Sequence, residues 1–190
     1  MSKIFIDSVF RVPRSWSNRE LKKFAHLFQG DVVNVSAWRD EDKEDGYYRD
    51  YFSSSQSYIL TNYDEDKCGY QGQKNEIFLD LEKPISKELN GKFDVVFNHT
   101  VLEHVYDFQT AFTNLCSLSK DIVIIVTPFM QKVHAHYGDF WRFTPSCITR
   151  LFADRGLSVI YQSYNEDKRA STYIFTIASK NPQKWSSISE

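Results

Sequence analysis

The chain has 190 residues, of which 42% are hydrophobic, 25% charged and 16% aromatic, a globular composition rather than a disordered one. Twenty-three Lys and Arg stand against 25 Asp and Glu, a net charge of −2, which argues against a nucleic-acid binder held by phosphate contacts. Only seven residues are glycine, about 4% where roughly 7% is usual, and this weighs against any site built from a long Gly-rich loop.

The length suits one domain over 1–190, with an N-terminal extension over 1–16 and a tail over 181–190. Cys68, Cys116 and Cys147 are widely spaced and lack a Cys-x-x-Cys pair, which fits a reducing compartment. No signal-peptide core or membrane-length apolar run is visible, so the expectation is a soluble, cytoplasmic protein with no membrane or nucleic-acid partner. The sequence does not set an oligomeric state.

Taken in chain order, the first predicted element is a helix over 18–29. Ser17 and Glu20 have the spacing of a capping box, Leu21, Phe24, Ala25 and Phe28 recur at helical period, and Gly30 stands at the stop. A strand over 31–37 follows. Residues 38–57 are polar and aromatic with weak periodicity, and the acidic stretch 39–50 reads as a solvated loop. Strands are expected over 57–62, 76–81 and 93–98, the last after the turn signal Asn90-Gly91.

The period then changes. Asp107 can cap a helix carrying Phe108, Ala111, Phe112, Leu115 and Leu118. Residues 121–127 are a continuous β-branched run, the mark of a central strand covered on both faces. Thr144-Pro145 opens a further helix, with Pro at its first position and Gly156 closing it. Strands over 157–164 and 172–179 end the chain as a hairpin. This pattern is an α/β fold: an open, mostly parallel sheet with an antiparallel C-terminal edge.

Ligands of such sheets bind outside the carboxyl ends of the strands, where strand order reverses. The polar groups there are Asn62 and Asp64 after the second strand, Asp80 at the end of the third, and Asn98 and His99 after the fourth. Acids at neighbouring strand ends could accept hydrogen bonds from a ribose diol and an adenine amino group.

Two stretches resemble a known family. Phe93-Asp94-Val95-Val96-Phe97 with Val101-Leu102-Glu103-His104-Val105 is similar to the corresponding segment of class I, type 11-like S-adenosylmethionine-dependent methyltransferases. Pro128-Phe129, His134 and Asp139-Phe140-Trp141-Arg142-Phe143-Thr144-Pro145 resemble a stretch found in a subset of them, whose members often look like modifiers of sugars or other small metabolites. The resemblance implies a three-layer Rossmann-like sheet and S-adenosylmethionine as cofactor. It places Ser36, Ala37 and Trp38 beside the methionine part of that cofactor. It sets Asn62 or Asp64 on the ribose, Asp80 and Leu81 at the adenine, and Asn98 and His99 near the methyl group. His134, Asp139, Trp141 and Arg142 fall on the substrate side, with His134 or Asp139 as the base, His99 behind them, and Arg142 pairing with an acidic group of the substrate.

The family has a Gly-x-Gly turn after the first strand; this chain has Ser36-Ala37-Trp38-Arg39. Either the loop takes another path, with Trp38 or Tyr48 stacking on the ligand, or the site has lost its cofactor and the domain binds or scaffolds. A metal-dependent hydrolase, suggested by His134-Ala135-His136 with Asp139, lacks a clear further ligand set. Ordinary loop histidines and no bound metal are therefore expected.

Overall fold

The structure, a computed structural model, describes residues 7–64, 69–134 and 138–189. Helix α1 (Arg11–Phe24) starts well before the expected 18–29 and takes in part of the stretch read as an extension. Asp7 accepts from the backbone N–H groups of Val9 and Phe10 at 2.8 and 3.2 Å, which turns the chain into the helix. Pro13 then falls in the first turn, where a missing N–H leaves no hydrogen bond unmade. Ser17 and Glu20 are therefore interior residues and make no capping box. The Ser17 hydroxyl donates to the Arg14 carbonyl at 2.9 Å. Glu20 accepts from Tyr161 and Ser163 at 2.6 and 3.0 Å, tying the helix to the far edge of the molecule.

The strands are β1 (Gly30–Val35), β2 (Ser55–Asn62), β3 (Glu76–Phe78), β4 (Phe93–His99), β5 (Ser119–Met130), β6 (Ser158–Tyr164) and β7 (Thr172–Ser179). They form one sheet in the order β3-β2-β1-β4-β5-β7-β6. The strands from β1 to β5 pair in parallel, and β7 runs antiparallel between β5 and β6. Strand β3 is shorter than the expected 76–81, so Asp80 and Leu81 lie in the turn beyond it. Helices α2 (Phe108–Leu118) and α3 (Pro145–Ala153) have the anticipated caps. Asp107 accepts from the Thr110 N–H and Thr144 from the Cys147 N–H, each at 3.1 Å. A short α4 (Ser186–Ser189) ends the described chain.

Alternation along the strands divides the core into two layers. Val33, Val35, Val96, Val123 and Ile125 face α2 and α3. Val32, Val95, Phe97, Ile124 and Phe175 face Leu21 of α1 and, just beyond it, Ala25 and Phe28. The connection from β1 to β2 contains a single 3-10 turn, Tyr48–Tyr51, and no α-helix. Helix α1, arriving from upstream of β1, covers the face that a crossover helix would otherwise cover. Among the described residues, no helix is long and apolar enough to cross a membrane.

The helix-free connection is anchored by one carboxylate. Asp40 is fully buried. It accepts from Asn34 of β1 and Tyr58 of β2, both at 2.8 Å, and from the Arg49 backbone N–H at 3.0 Å. Its own carbonyl takes the Tyr48 N–H at 3.0 Å. Removing the carboxylate strands two buried donors, each costing ~1–3 kcal/mol. Asp40→Ala is therefore expected to lower unfolding free energy by ~2–4 kcal/mol in urea titrations, while a substitution at exposed Arg39 leaves it unchanged.

Candidate active site

The carboxyl ends of β1, β2 and β4 meet at the point where strand order reverses. Val35 pairs with Thr61 on one side and with Asn98 on the other. The turn after β1 carries no glycine, yet its backbone enters the left-handed region repeatedly. Ser36 has φ 56°, Trp38 49° and Asp40 66°, followed by Lys43 at 66° and Asp45 at 65°. Asp64 after β2 (φ 64°) and Thr100 after β4 (φ 50°) complete the set, so all seven non-glycine residues with positive φ among those described lie in loops at this end of the sheet. Asp tolerates the region; Trp and β-branched Thr do so only when the surroundings impose it.

The surroundings are visible for the first turn. Asn62 grips Trp38 from both sides: its Oδ1 accepts the Trp38 N–H at 2.6 Å and its Nδ2 donates to the Trp38 carbonyl at 3.1 Å. The same amide donates to Glu76 at 2.5 Å. Ala37 N–H donates to the Thr61 carbonyl at 3.1 Å. Asn62, 2% exposed, is thus a clamp for the turn, with no amide atom left over for a ribose. The indole of Trp38 is half-buried and takes the Lys43 ammonium over its ring at 4.4 Å. Tyr48, the other ring considered for stacking, is buried beneath His99 at 5.6 Å and belongs to the core.

Around this turn, Asp64 is exposed and Asp80 is half-buried. Asp80 Oδ1 caps the Glu82 N–H at 2.9 Å, and Leu81 is buried with its carbonyl accepting from Asn114. Exposed Tyr63 and Phe78 place their rings 5.9 Å apart beside these acids. Asn98 Nδ2 donates to the Val35 carbonyl at 3.0 Å, and its Oδ1 is buried without a hydrogen-bond partner.

His99 sits in a different setting from the one expected of a base. Its Nε2 lies 2.8 Å from the Ser17 hydroxyl and its Nδ1 3.0 Å from Arg14, which also donates to Tyr48 and Thr100. Because guanidinium only donates, Nδ1 is the acceptor and Nε2 carries the hydrogen. Burial, reinforced by the Arg14 charge, pushes this imidazole well below its ordinary pKa. His99 is a neutral strut between β4 and α1, with both nitrogens committed.

The two segments singled out by resemblance meet at the ends of β4 and β5. The Glu103 carbonyl accepts the N–H groups of Phe140 and Trp141 at 2.7 and 3.2 Å. The Trp141 indole donates to the Val105 and Tyr106 carbonyls, both at 3.1 Å, and its ring packs on Phe108. Arg142 bonds both oxygens of Asp139, with one contact at 2.8 Å, and also donates to the carbonyls of Gln131, Lys132 and Trp141. The bonds from Arg142, more than any other cause, hold Asp139 down at about 2. Asp139 also accepts the His134 N–H at 2.7 Å and lies 3.3 Å from His134 Nδ1. It is an orienting carboxylate, and Arg142 and Trp141 are spent on the protein.

Chain reading missed Arg14 and Ser17, because nothing local shows a helix reaching a strand end far downstream in sequence. It also gave Glu103 and His104 no role beyond their motif. Glu103 is wholly buried with neither carboxylate oxygen hydrogen-bonded among the described residues, and His104 Nε2 lies 3.6 Å from it. His136 lies outside the described residues.

No protein-family model matches the sequence, and neither does any curated protein. Solved structures do match by shape. Magnesium protoporphyrin IX methyltransferase from Synechocystis PCC 6803, solved with bound S-adenosylmethionine, is similar with a TM-score of 0.61 at 16% identity, over 95% of this chain and 86% of that one. An S-adenosylmethionine-dependent methyltransferase from Clostridium acetobutylicum ATCC 824 gives 0.60 at 7% identity over 92% of each chain. The 1,6-didemethyltoxoflavin-N1-methyltransferase of Burkholderia thailandensis, solved with 1,6-didemethyltoxoflavin and S-adenosylhomocysteine, gives 0.57 at 15% identity over 86% and 78%. The fold is that of the class I S-adenosylmethionine-dependent methyltransferases.

Within this methyltransferase fold the strut role of His99 is open to a direct check. His99→Phe keeps the ring volume but leaves Ser17 and Arg14 without their partner, and a buried unmet donor costs ~1–3 kcal/mol. Chemical denaturation is expected to show a loss of that size, and an unchanged midpoint would remove His99 from the scaffold.

Proposed function

We propose that the protein is an S-adenosylmethionine-dependent methyltransferase acting on a small molecule, with sugars and glycan precursors the favoured class of acceptor. The observation that carries this reading is the cluster of left-handed, non-glycine residues at the switch point of a methyltransferase fold. Strain of about 1–3 kcal/mol per residue persists where the surrounding structure imposes it, and it gathers at functional sites. The turn after β1 keeps the backbone form for which a glycine loop would be used, although its side chains differ.

The residues present fit such a cofactor. Asn98 Oδ1 is a buried acceptor in want of a donor, suited to an ammonium group. Asp80 stands at the end of β3 with one oxygen beyond the Glu82 bond, and exposed Asp64 follows β2. With Asn62 committed to Trp38, the ribose falls to Asp64, and Asp80 takes the adenine amino group beside Leu81. Ser36, Ala37 and Trp38 border the methionine part through their backbone. When bound, the cofactor supplies a methyl group on a sulfonium, ready for in-line displacement.

The chain then has to hold the acceptor in line and receive its proton. Alignment is the larger contribution. The acceptor corner is the junction of 100–106 with 131–142. There His104 donates from Nδ1 to the Gly138 carbonyl at 2.6 Å. His134 is held at Nδ1 by Asp139 and the Lys132 carbonyl. Both rings are thus oriented through Nδ1, the His104 Nε2 lies 3.6 Å from Glu103, and burial lowers the pKa of His104, which favours its neutral form.

One observation favours a second reading, a cofactor-free binding domain: Asn62 stands where an acid is needed and is fully used by the Trp38 turn. Calorimetry separates the two. S-Adenosylhomocysteine is expected to bind the wild type, and Asp80→Ala to weaken it about tenfold, the loss of roughly one good hydrogen bond. No heat at millimolar ligand establishes the second reading. Once an acceptor is found, His134→Ala is expected to lower kcat about 100-fold or more while leaving S-adenosylhomocysteine affinity unchanged.

A further inference from the structure

A carboxylate without partners is the least expected feature of the acceptor corner. Glu103 is 0% exposed, and neither of its oxygens accepts a hydrogen bond among the described residues. A buried charge in that state is costly unless something positive answers it. Arg14 and Arg142 are the guanidinium groups whose charge reaches it. Their donors go elsewhere, to Tyr48, His99 and Thr100 in one case and to Asp139 and three carbonyls in the other.

Two imidazoles flank the bare carboxylate. One ligand atom each from Glu103, His104 and His134 lie within 4.8 Å of one another. The His104 and His134 rings are 5.0 Å apart at centroid and nearly perpendicular, at 76°. Both are fixed by hydrogen bonds at Nδ1, His104 to the Gly138 carbonyl and His134 to Asp139 and the Lys132 carbonyl. Metal-binding histidines are oriented in this way: one nitrogen donates to a carbonyl or carboxylate, which leaves the other with its lone pair directed at the ion.

We infer that Glu103, His104 and His134 form a binding site for a divalent transition-metal ion of the zinc class, with at least one coordination position left for a ligand. Bonds of about 2.0–2.2 Å require ligand atoms roughly 3.2–4 Å apart. The Glu103–His104 pair, at 3.6 Å, already meets this, and with all three ligand atoms within 4.8 Å of one another the ligands have to draw together by less than about 2 Å to bind the ion. Two imidazoles with one carboxylate suit zinc, cobalt, nickel or ferrous ions. Magnesium and calcium prefer all-oxygen shells. Three protein ligands with an open position make a reactive site rather than a purely structural one.

The string His134-Ala135-His136 with Asp139, which supplies no clear further ligand set, contains one of these three ligands, His134. The further ligands come from the loop after β4, brought alongside by the backbone bonds from Phe140 and Trp141 to Glu103. Metal binding itself stands apart from methyl transfer. Only its use rests on that reading: an acceptor hydroxyl bound at the open position would be acidified by the ion. In that state the Nε2 lone pairs bind the ion, and the proton of the acidified hydroxyl passes to solvent water rather than to either imidazole.

The test uses the full chain, stripped with a chelator and titrated with zinc against a chromophoric competitor. One equivalent is expected to bind, with millimolar magnesium failing to displace it, and cobalt is expected to give the intense visible absorption of a low-symmetry site. His134→Ala and His104→Ala should each weaken zinc about 100-fold and abolish the cobalt spectrum. Glu103→Gln should do likewise while keeping shape. His134, on a loop with its side chain 18% exposed, supplies the variant whose fold, checked by circular dichroism, is least at risk. Sub-stoichiometric zinc in the wild type, or unchanged affinity in both histidine variants, overturns the site. Loss of S-adenosylhomocysteine binding alone, with zinc retained, overturns methyl transfer and leaves the site intact.

Discussion

The architecture turns on how a backbone without glycine is held in a shape that glycine would take freely. Asp40 and Asn62 do this from opposite sides of the turn after β1. Asp40 anchors the far end of the turn to β1 and β2 through Asn34 and Tyr58. Asn62 pins Trp38 through both its N–H and its carbonyl. Either contact alone offers ~1 kcal/mol net, comparable with the strain of one left-handed residue. Acting together in a buried setting, they over-determine the turn. The consequence reaches beyond geometry: the side chain at the end of β2 is consumed by scaffolding, and the proposed function therefore assigns ligand recognition to Asp64 and Asp80.

The same economy governs the helix layer. With no α-helix between β1 and β2, the sheet face bearing Val32, Val95 and Phe97 has to be covered from elsewhere, and α1 does so. That choice brings Arg14 and Ser17 to the end of β4, where they bind His99. A cation and an imidazole side by side repel if both are charged, and burial keeps the imidazole neutral. The switch point is therefore lined by a rigid neutral strut. The imidazoles of His104 and His134 lie elsewhere, their rings 5.0 Å apart.

What could be read from the chain followed the range of the forces involved. The caps at Asp107 and Thr144, the β-branched run of β5 and the closing hairpin are local signals, and each appears where expected. Helix α1 was misplaced because Ser17 and Glu20 have capping-box spacing, and only the tertiary partners His99, Tyr161 and Ser163 show that they face inward. Strand β3 ends sooner than the pattern suggests because its apolar alternation continues through Leu79 and Leu81, which are buried beyond the last ladder pair; Leu79 N–H makes a final bond to the Asn62 carbonyl. Sheet topology alone points to the strand ends as the candidate site. Whether a polar residue there is free or committed depends on partners far away in sequence. Asn62 is committed to Trp38 and His99 to Arg14 and Ser17, and neither string shows it.

Glu103 gives the clearest view of how the two halves of the crevice differ. At the ends of β1 and β2 nearly every polar atom is answered by another, and the backbone itself carries the strain. Beyond β4 a wholly buried carboxyl accepts no hydrogen bond from another described residue and is pushed up to about 8, chiefly by burial and against the pull of its own backbone and of Arg14 and Arg142. Packing defects do not explain it, since Leu102 beside it is fully buried and the Glu103 carbonyl anchors two N–H groups. Asp40 is satisfied by donors from both neighbouring strands, whereas the unmet electrostatic demand of Glu103 falls beside His104 and His134. Under the proposed function, the rigid half fixes one reactant while the polar half is completed by what it binds.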